Sequence, residues 1–151
     1  MVQSAVVRVV DESIKPLGFQ RRGHSWYRIT SDLYSVINVQ KSRWSESCYI
    51  NIGFSPSGQV ENLWLPESRC QVRFRLDSLK RITREGLLLL EGGTDQEVKL
   101  RASLVEKIGN PLAQFVVGVT NLDDLRGALN SDVTGNVFIH GEIRPLLASP
   151  D

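Results

Sequence analysis

The feature that most restricts this chain is an apolar stripe of helical length that stops abruptly and is followed at once by closely spaced strand-like runs. From Ala5 to Leu17 the residues Val6, Val10, Ile14 and Leu17 recur at helical spacing, and Val9 widens the stripe. Lys15 falls in the last turn, where a cation complements the helix dipole, and Pro16 and Gly18 then end the helix. Such a helix must bury one face, and the segments after it can supply the surface.

Ser25 to Ile29 is rich in strand formers and is followed by the turn signal Thr30-Ser31-Asp32. A second strand is predicted from Leu33 to about Lys41, and a third from Cys48 to Phe54 after the loop Ser42 to Ser47. Short polar links between consecutive strands favour antiparallel hairpins arranged as a meander. Ser55-Pro56-Ser57-Gly58 ends the third strand, and Asn62 to Arg69 reads as irregular. Cys70 to Leu76 alternates apolar with polar residues, as a half-buried strand does.

The remainder reads as mostly helical. Leu87 to Glu91 fits either a fifth strand or a buried helix turn. Thr94 to Glu97 has the form of a capping box before a helix carrying Val98, Ala102, Val105 and Ile108, which should stop at Gly109-Asn110-Pro111. Leu112 to Val119 reads as a short helix. Asn121 should cap another that carries Leu122, Leu125, Ala128 and Leu129. Asn136 to Ile143 looks strand-like, either an edge strand or a segment for pairing with a partner. The expected fold is therefore α+β: an N-terminal helix on an antiparallel meander of four to five strands, with two or three helices in the C-terminal half. No repeat or linker divides the 151 residues, so a single domain is expected.

Several functional classes find little support. The longest aliphatic run, Leu87 to Leu90, is far too short to cross a bilayer, and the first residues lack the pattern of an export signal. Cys48 and Cys70 have no CxxC spacing and read as reduced, buried thiols, which suits a cytoplasmic protein. Residues 1–90 hold 13 Lys/Arg against 8 Asp/Glu, and residues 91–151 hold 5 against 9. That skew is compatible with an anionic partner but equally with complementary surfaces inside one fold. The basic residues are scattered, which is weak support for duplex nucleic acid.

Four runs carry a resemblance: Lys15 to Arg28, Val36 to Ser42, Tyr49 to Phe54, and Cys70 to Leu76. In order and spacing they resemble the family catalogued as domain of unknown function 4304, found mainly in bacteria. The likeness covers about residues 5–80. Beyond it, members often carry tryptophans near the positions of Leu87 to Glu91 and a Gly-Leu-Pro-Trp element near Gly109 to Leu112; both tryptophans are missing here. The resemblance implies an α+β fold and supplies neither an activity nor functional residues.

The catalytic constellations are sparse. His24 and His140 are the only histidines, and no motif places either beside Cys48 or a serine. No metal-ligand spacing, Walker A sequence or dinucleotide fingerprint occurs, so neither cofactor nor metal is expected. Of the candidate carboxylate pairs, Asp123-Asp124 suit the first turn of a helix, Asp11-Glu12 read as solvated, and Glu61/Glu67 is the third.

The sheet is more informative. Ile37 and Val39 should face one way, and Tyr34, Val36, Asn38 and Gln40 the other; Cys48, Ile50, Ile52 and Phe54 should oppose Tyr49, Asn51 and Gly53. The expected site is the polar face, with Tyr34, Asn38, Gln40, Tyr49 and Asn51, flanked by the turn residues Lys41, Arg43 and Trp44 and by Arg21 and Arg22. An exposed Trp beside an Arg is a common interface anchor. These readings favour a non-catalytic binding or accessory module for a protein, peptide or small ligand. A single-stranded nucleic-acid-associated protein and an enzyme of unrecognised type are the alternatives.

Overall fold

A computed structural model describes residues 2–92 and 97–148. Helix α1 (Val2–Ile14) passes into a single 3₁₀ turn at Lys15–Leu17 that Gly18 closes. Six strands follow: β1 (Gln20–Arg22), β2 (Ser25–Thr30), β3 (Leu33–Lys41), β4 (Cys48–Pro56), β5 (Val72–Arg75) and β6 (Phe138–Ile139). They form one antiparallel sheet in chain order, so the fold is α+β with a helix ahead of a meander. β1 lacks an alternating pattern because all three residues are exposed, and so escapes a reading based on periodicity; β6, only two residues long, falls within the strand-like stretch Asn136 to Ile143 and forms the sheet edge beside β5.

The helices are α2 (Arg84–Leu89), α3 (Glu97–Leu104), α4 (Asn110–Val117), α5 (Leu122–Ser131) and α6 (Arg144–Leu147). Leu87 to Leu89 thus lie in a helix, begun by Thr83 Oγ1 accepting from the Gly86 amide at 3.1 Å. Asn121 caps α5 as expected, accepting from the Asp124 amide at 2.7 Å. The side chains of the expected Thr94–Glu97 capping box lie outside the described residues.

The helix expected to stop at Gly109-Asn110-Pro111 does not stop there. Pro111 has no N–H to give, and its ring crowds the carbonyl four residues back. The chain answers with a π-helical turn at Val105–Gly109 and continues directly into α4.

Val6, Val9, Val10 and Ile14 of α1 meet Ile37, Val39, Ile50, Ile52 and Phe54 of the sheet and Leu104, Ile108, Leu112 and Phe115 of the helices in one apolar cluster. Each fully buried side chain of this kind contributes roughly 1.5–3 kcal/mol. α1 crosses the π turn closely. A Cβ on Gly109 would collide with Ser13 Oγ and stand 3.0 Å from Val9 Cγ1. Gly109→Ala is therefore expected to destabilise by about 1–3 kcal/mol in urea unfolding, despite alanine's better helix propensity. In a Ser13→Ala background, which removes the colliding hydroxyl, the same change should cost less; equal costs would show that this crossing is not the constraint.

Candidate functional site

Antiparallel register gathers the polar face row by row. Arg22 pairs with Ser25, Ser25 with Asn38, Asn38 with Asn51, and Asn51 with Arg75. Five side chains from five strands therefore form one row across the sheet, with an arginine at each end. The middle is internally bonded: Asn51 Nδ2 donates to Asn38 Oδ1 at 3.3 Å and to Gln40 Oε1 at 3.0 Å, and Asn38 Nδ2 donates to Ser25 Oγ at 3.0 Å. These contacts satisfy part of the amides' hydrogen-bonding capacity and order them.

The other half of this face is covered. The segment between β4 and β5 lays Val60, Trp64, Leu65 and Cys70 over Tyr27, Tyr34 and Val36 as a second, smaller apolar cluster. Gly53 makes room for it, because a Cβ there would come within 2.9 Å of Cys70 Sγ. The Tyr34 hydroxyl donates to the Leu65 carbonyl at 2.7 Å and accepts from the Leu65 amide at 2.9 Å. Tyr34 lies on the expected face yet is fully buried, so it anchors the covering segment and offers no surface to a ligand.

In the row Arg22 and Arg75 are exposed, Asn38 is half-buried and Ser25 and Asn51 are buried; beside it is a groove of about 920 Å³, lined among others by Gln40, Asn51, Glu67, Arg73, Arg75 and Phe138. Arg73 lies 4.1 Å from the centroid of the Phe138 ring, Arg75 4.2 Å from that of Tyr49, and Arg22 4.6 Å from that of Trp64. Among the described residues, none of these three guanidiniums forms an ion pair. Glu67 titrates above the ordinary carboxylate range because burial outweighs the attraction of Arg73 and Arg75. A carboxyl raised in the folded state favours folding below its unfolded pKa, and that contribution is lost as pH rises through the folded value. Glu67→Gln should therefore melt higher than the parent at neutral pH, and the advantage should shrink on acidification into the ordinary carboxylate range. An advantage that grows on acidification would contradict this.

Asn38, Gln40, Asn51 and Tyr49 come together as expected, and Arg22 stands at the far end of their row. Lys41 ends β3, exposed; Arg43 and Trp44 are exposed in the following turn, Trp44 at 93%. Arg21 has the opposite parity and lies over the Trp26 ring at 5.4 Å, apart from the row. Sequence reasoning passed over Ser25, Trp64, Arg73 and Arg75, and reached Glu67 only as half of the carboxylate pair Glu61/Glu67. The signal for the two arginines was available, since they alternate with buried Val72 and Phe74 and must share the face of Asn51 once β4 and β5 pair. Trp64 gave none, because its segment is aperiodic, and for the same reason nothing placed Glu67 beside these arginines.

Two other readings change. β5 begins at Val72, and Gln71 donates its amide to Ser55 Oγ at 3.1 Å, so Cys70 lies off the strand in the smaller cluster. Asp11 is not simply solvated, because it accepts from Trp26 Nε1 at 2.8 Å; Glu12 pairs with Arg101 at 2.6 Å.

Burial pushes the Cys48 thiol up to about 11 and Cys70 to about 12, so both stay protonated at neutral pH and are poor nucleophiles. Cys48 is sealed in the main core, whereas His24 is exposed, held below its usual pKa first by partial desolvation and then by Lys41 and Arg21. Among the described residues no three His, Cys, Asp or Glu side chains converge on a metal position, and no helix is long and apolar enough to cross a membrane.

Comparison with curated proteins gives no match, and comparison with solved structures gives none either. The family described as Domain of unknown function (DUF4304) matches residues 10–109, past the four motifs and through α3 to the π turn. With more than half of its length matched, the chain belongs to the DUF4304 family.

Proposed function

We propose that this chain is a non-catalytic binding module that engages a protein, peptide or small ligand through the uncovered half of its outer sheet face. The observation that carries this reading is the aligned row Arg22, Ser25, Asn38, Asn51 and Arg75, held by its own amide hydrogen bonds beside an open polar groove. Ordered amides and unpaired guanidiniums present directional groups whose geometry is set before a ligand arrives, which lowers the cost of binding. The buried free thiols fit a reducing compartment such as the cytoplasm.

The test is a nitrogen–proton correlation NMR screen of mixed peptide and fragment libraries. Binders should shift the amides of Asn38, Gln40, Asn51 and Arg75, and Asn51→Leu should weaken them. Binders that leave these amides unmoved and bind the Asn51→Leu protein equally well would overturn the reading.

A second reading, an enzyme of unrecognised type, draws on Glu67, a carboxyl with a raised pKa in a groove that also holds Gln40 and Asn51. It differs in outcome: Glu67→Gln would then abolish turnover of a groove ligand while leaving its binding intact.

A further inference from the structure

The three arginines of this face share an arrangement that points to one class of ligand. Each guanidinium lies against an aromatic ring, on Trp64, Phe138 or Tyr49, and among the described residues none meets a carboxylate. A cation held over a ring is attracted through its charge, which leaves the N–H donors of the guanidinium for a planar acceptor. Arg73 spends one edge on the Ser68 carbonyl at 2.7 Å, while its buried Nε has no partner. A carboxylate is the planar group that such forks bind in bidentate fashion.

Resting on the binding reading above, we infer that the ligand is an acidic segment of a partner protein, lying extended across the strands with one carboxylate at Arg75 and another at Arg22.

Arg22 and Arg75 are separated by four strand-to-strand steps. At about 4.8 Å each the steps span about 19 Å, the length of roughly five or six extended residues. Between the two arginines lie Ser25 and Asn51, both buried, and half-buried Asn38; their amide donors are spent on one another, on Gln40 and on the His24 carbonyl, so the middle of the row sets no charge against a peptide. Glu67 and Asp77 line the same groove as Arg73 and Arg75. They disfavour a continuous phosphate backbone, which would carry charge past both, but not a peptide whose carboxylates are few and spaced. The charge pattern therefore favours an acidic peptide over a nucleic acid strand.

The experiment titrates the full chain, followed by calorimetry and NMR, with an end-blocked hexapeptide carrying glutamate at both ends and neutral polar residues between. Its control is the same peptide with glutamine at both ends. The glutamate peptide should bind at least about tenfold more tightly, as expected for charge-assisted hydrogen bonds, and the preference should shrink as salt is raised. Arg22→Gln and Arg75→Gln, both at exposed positions, should each remove about tenfold in affinity for that peptide and little for the control. Equal binding of both peptides at the row would overturn the acidic assignment and leave the binding reading standing. Absence of shifts at the row with either peptide would overturn the assignment too, while the broader library screen decides the binding reading separately. Tighter binding of an oligothymidine of similar length would replace the peptide with a nucleic acid.

Discussion

Arg28→Met is expected to lower stability by about 3 kcal/mol, seen as a fall in the urea midpoint at unchanged slope. Arg28 is 8% exposed on the core side of β2, beside the Phe19 ring. Its guanidinium donates to the Leu17 carbonyl at 3.0 Å, to the Val116 carbonyl, and to the Val119 carbonyl at 3.4 Å. The cation thus ties the end of the first 3₁₀ turn to the end of α4, where the helix dipole favours positive charge. Burial lowers its pKa, yet arginine stays charged at any workable pH, so the bonds persist. Methionine matches much of the volume and removes every donor, leaving buried carbonyls short of partners. Arg28→Lys keeps the charge without the fork and should fall between the two. A methionine variant within about 1 kcal/mol of the parent would show that these bonds are not what joins the two ends.

Trp26→Ala should have a comparable or larger effect, roughly 3–5 kcal/mol. The indole is fully buried under α1, and its Nε1 donates to Asp11. Two terms are mixed here, lost packing and a lost hydrogen bond to a carboxylate, and smaller changes separate them. Trp26→Phe keeps most of the apolar contact and removes the donor, while Asp11→Ala removes the acceptor. If the bond matters, the double variant should cost less than the sum of the two single changes, by about 1 kcal/mol or more. Strict additivity would assign the whole effect of Trp26 to packing.

Legibility along the chain followed periodicity. The α1 stripe and the alternation in β3 and β4 each repeat a pattern that only one element type buries well, so faces as well as elements could be read. Leu87 to Glu91 stayed open between strand and helix because a short aliphatic run is compatible with either; Thr83 at the N-cap and packing against the core decide for helix. Gly109-Asn110-Pro111 reads as a helix stop by local rules. There the tertiary demand wins, since α1 needs a close neighbour and a π turn supplies one without ending the helix.

For the candidate site the division is sharper. Residue order alone determined that Asn38, Gln40, Tyr49 and Asn51 share one sheet face, because side chains in a strand alternate and adjacent antiparallel strands keep that alternation in step. It also placed Arg22, Lys41, Arg43 and Trp44 near the ends of those strands. Which half of the face stays open was decided by tertiary structure. The segment from Ser57 to Cys70 has no period to read, and only its packing over Gly53 and its hydrogen bonds to Tyr34 show that it buries one half. The joining of Arg22 and Arg75 into one row likewise depends on register across five strands, a relation between residues 53 positions apart in sequence that no local pattern encodes.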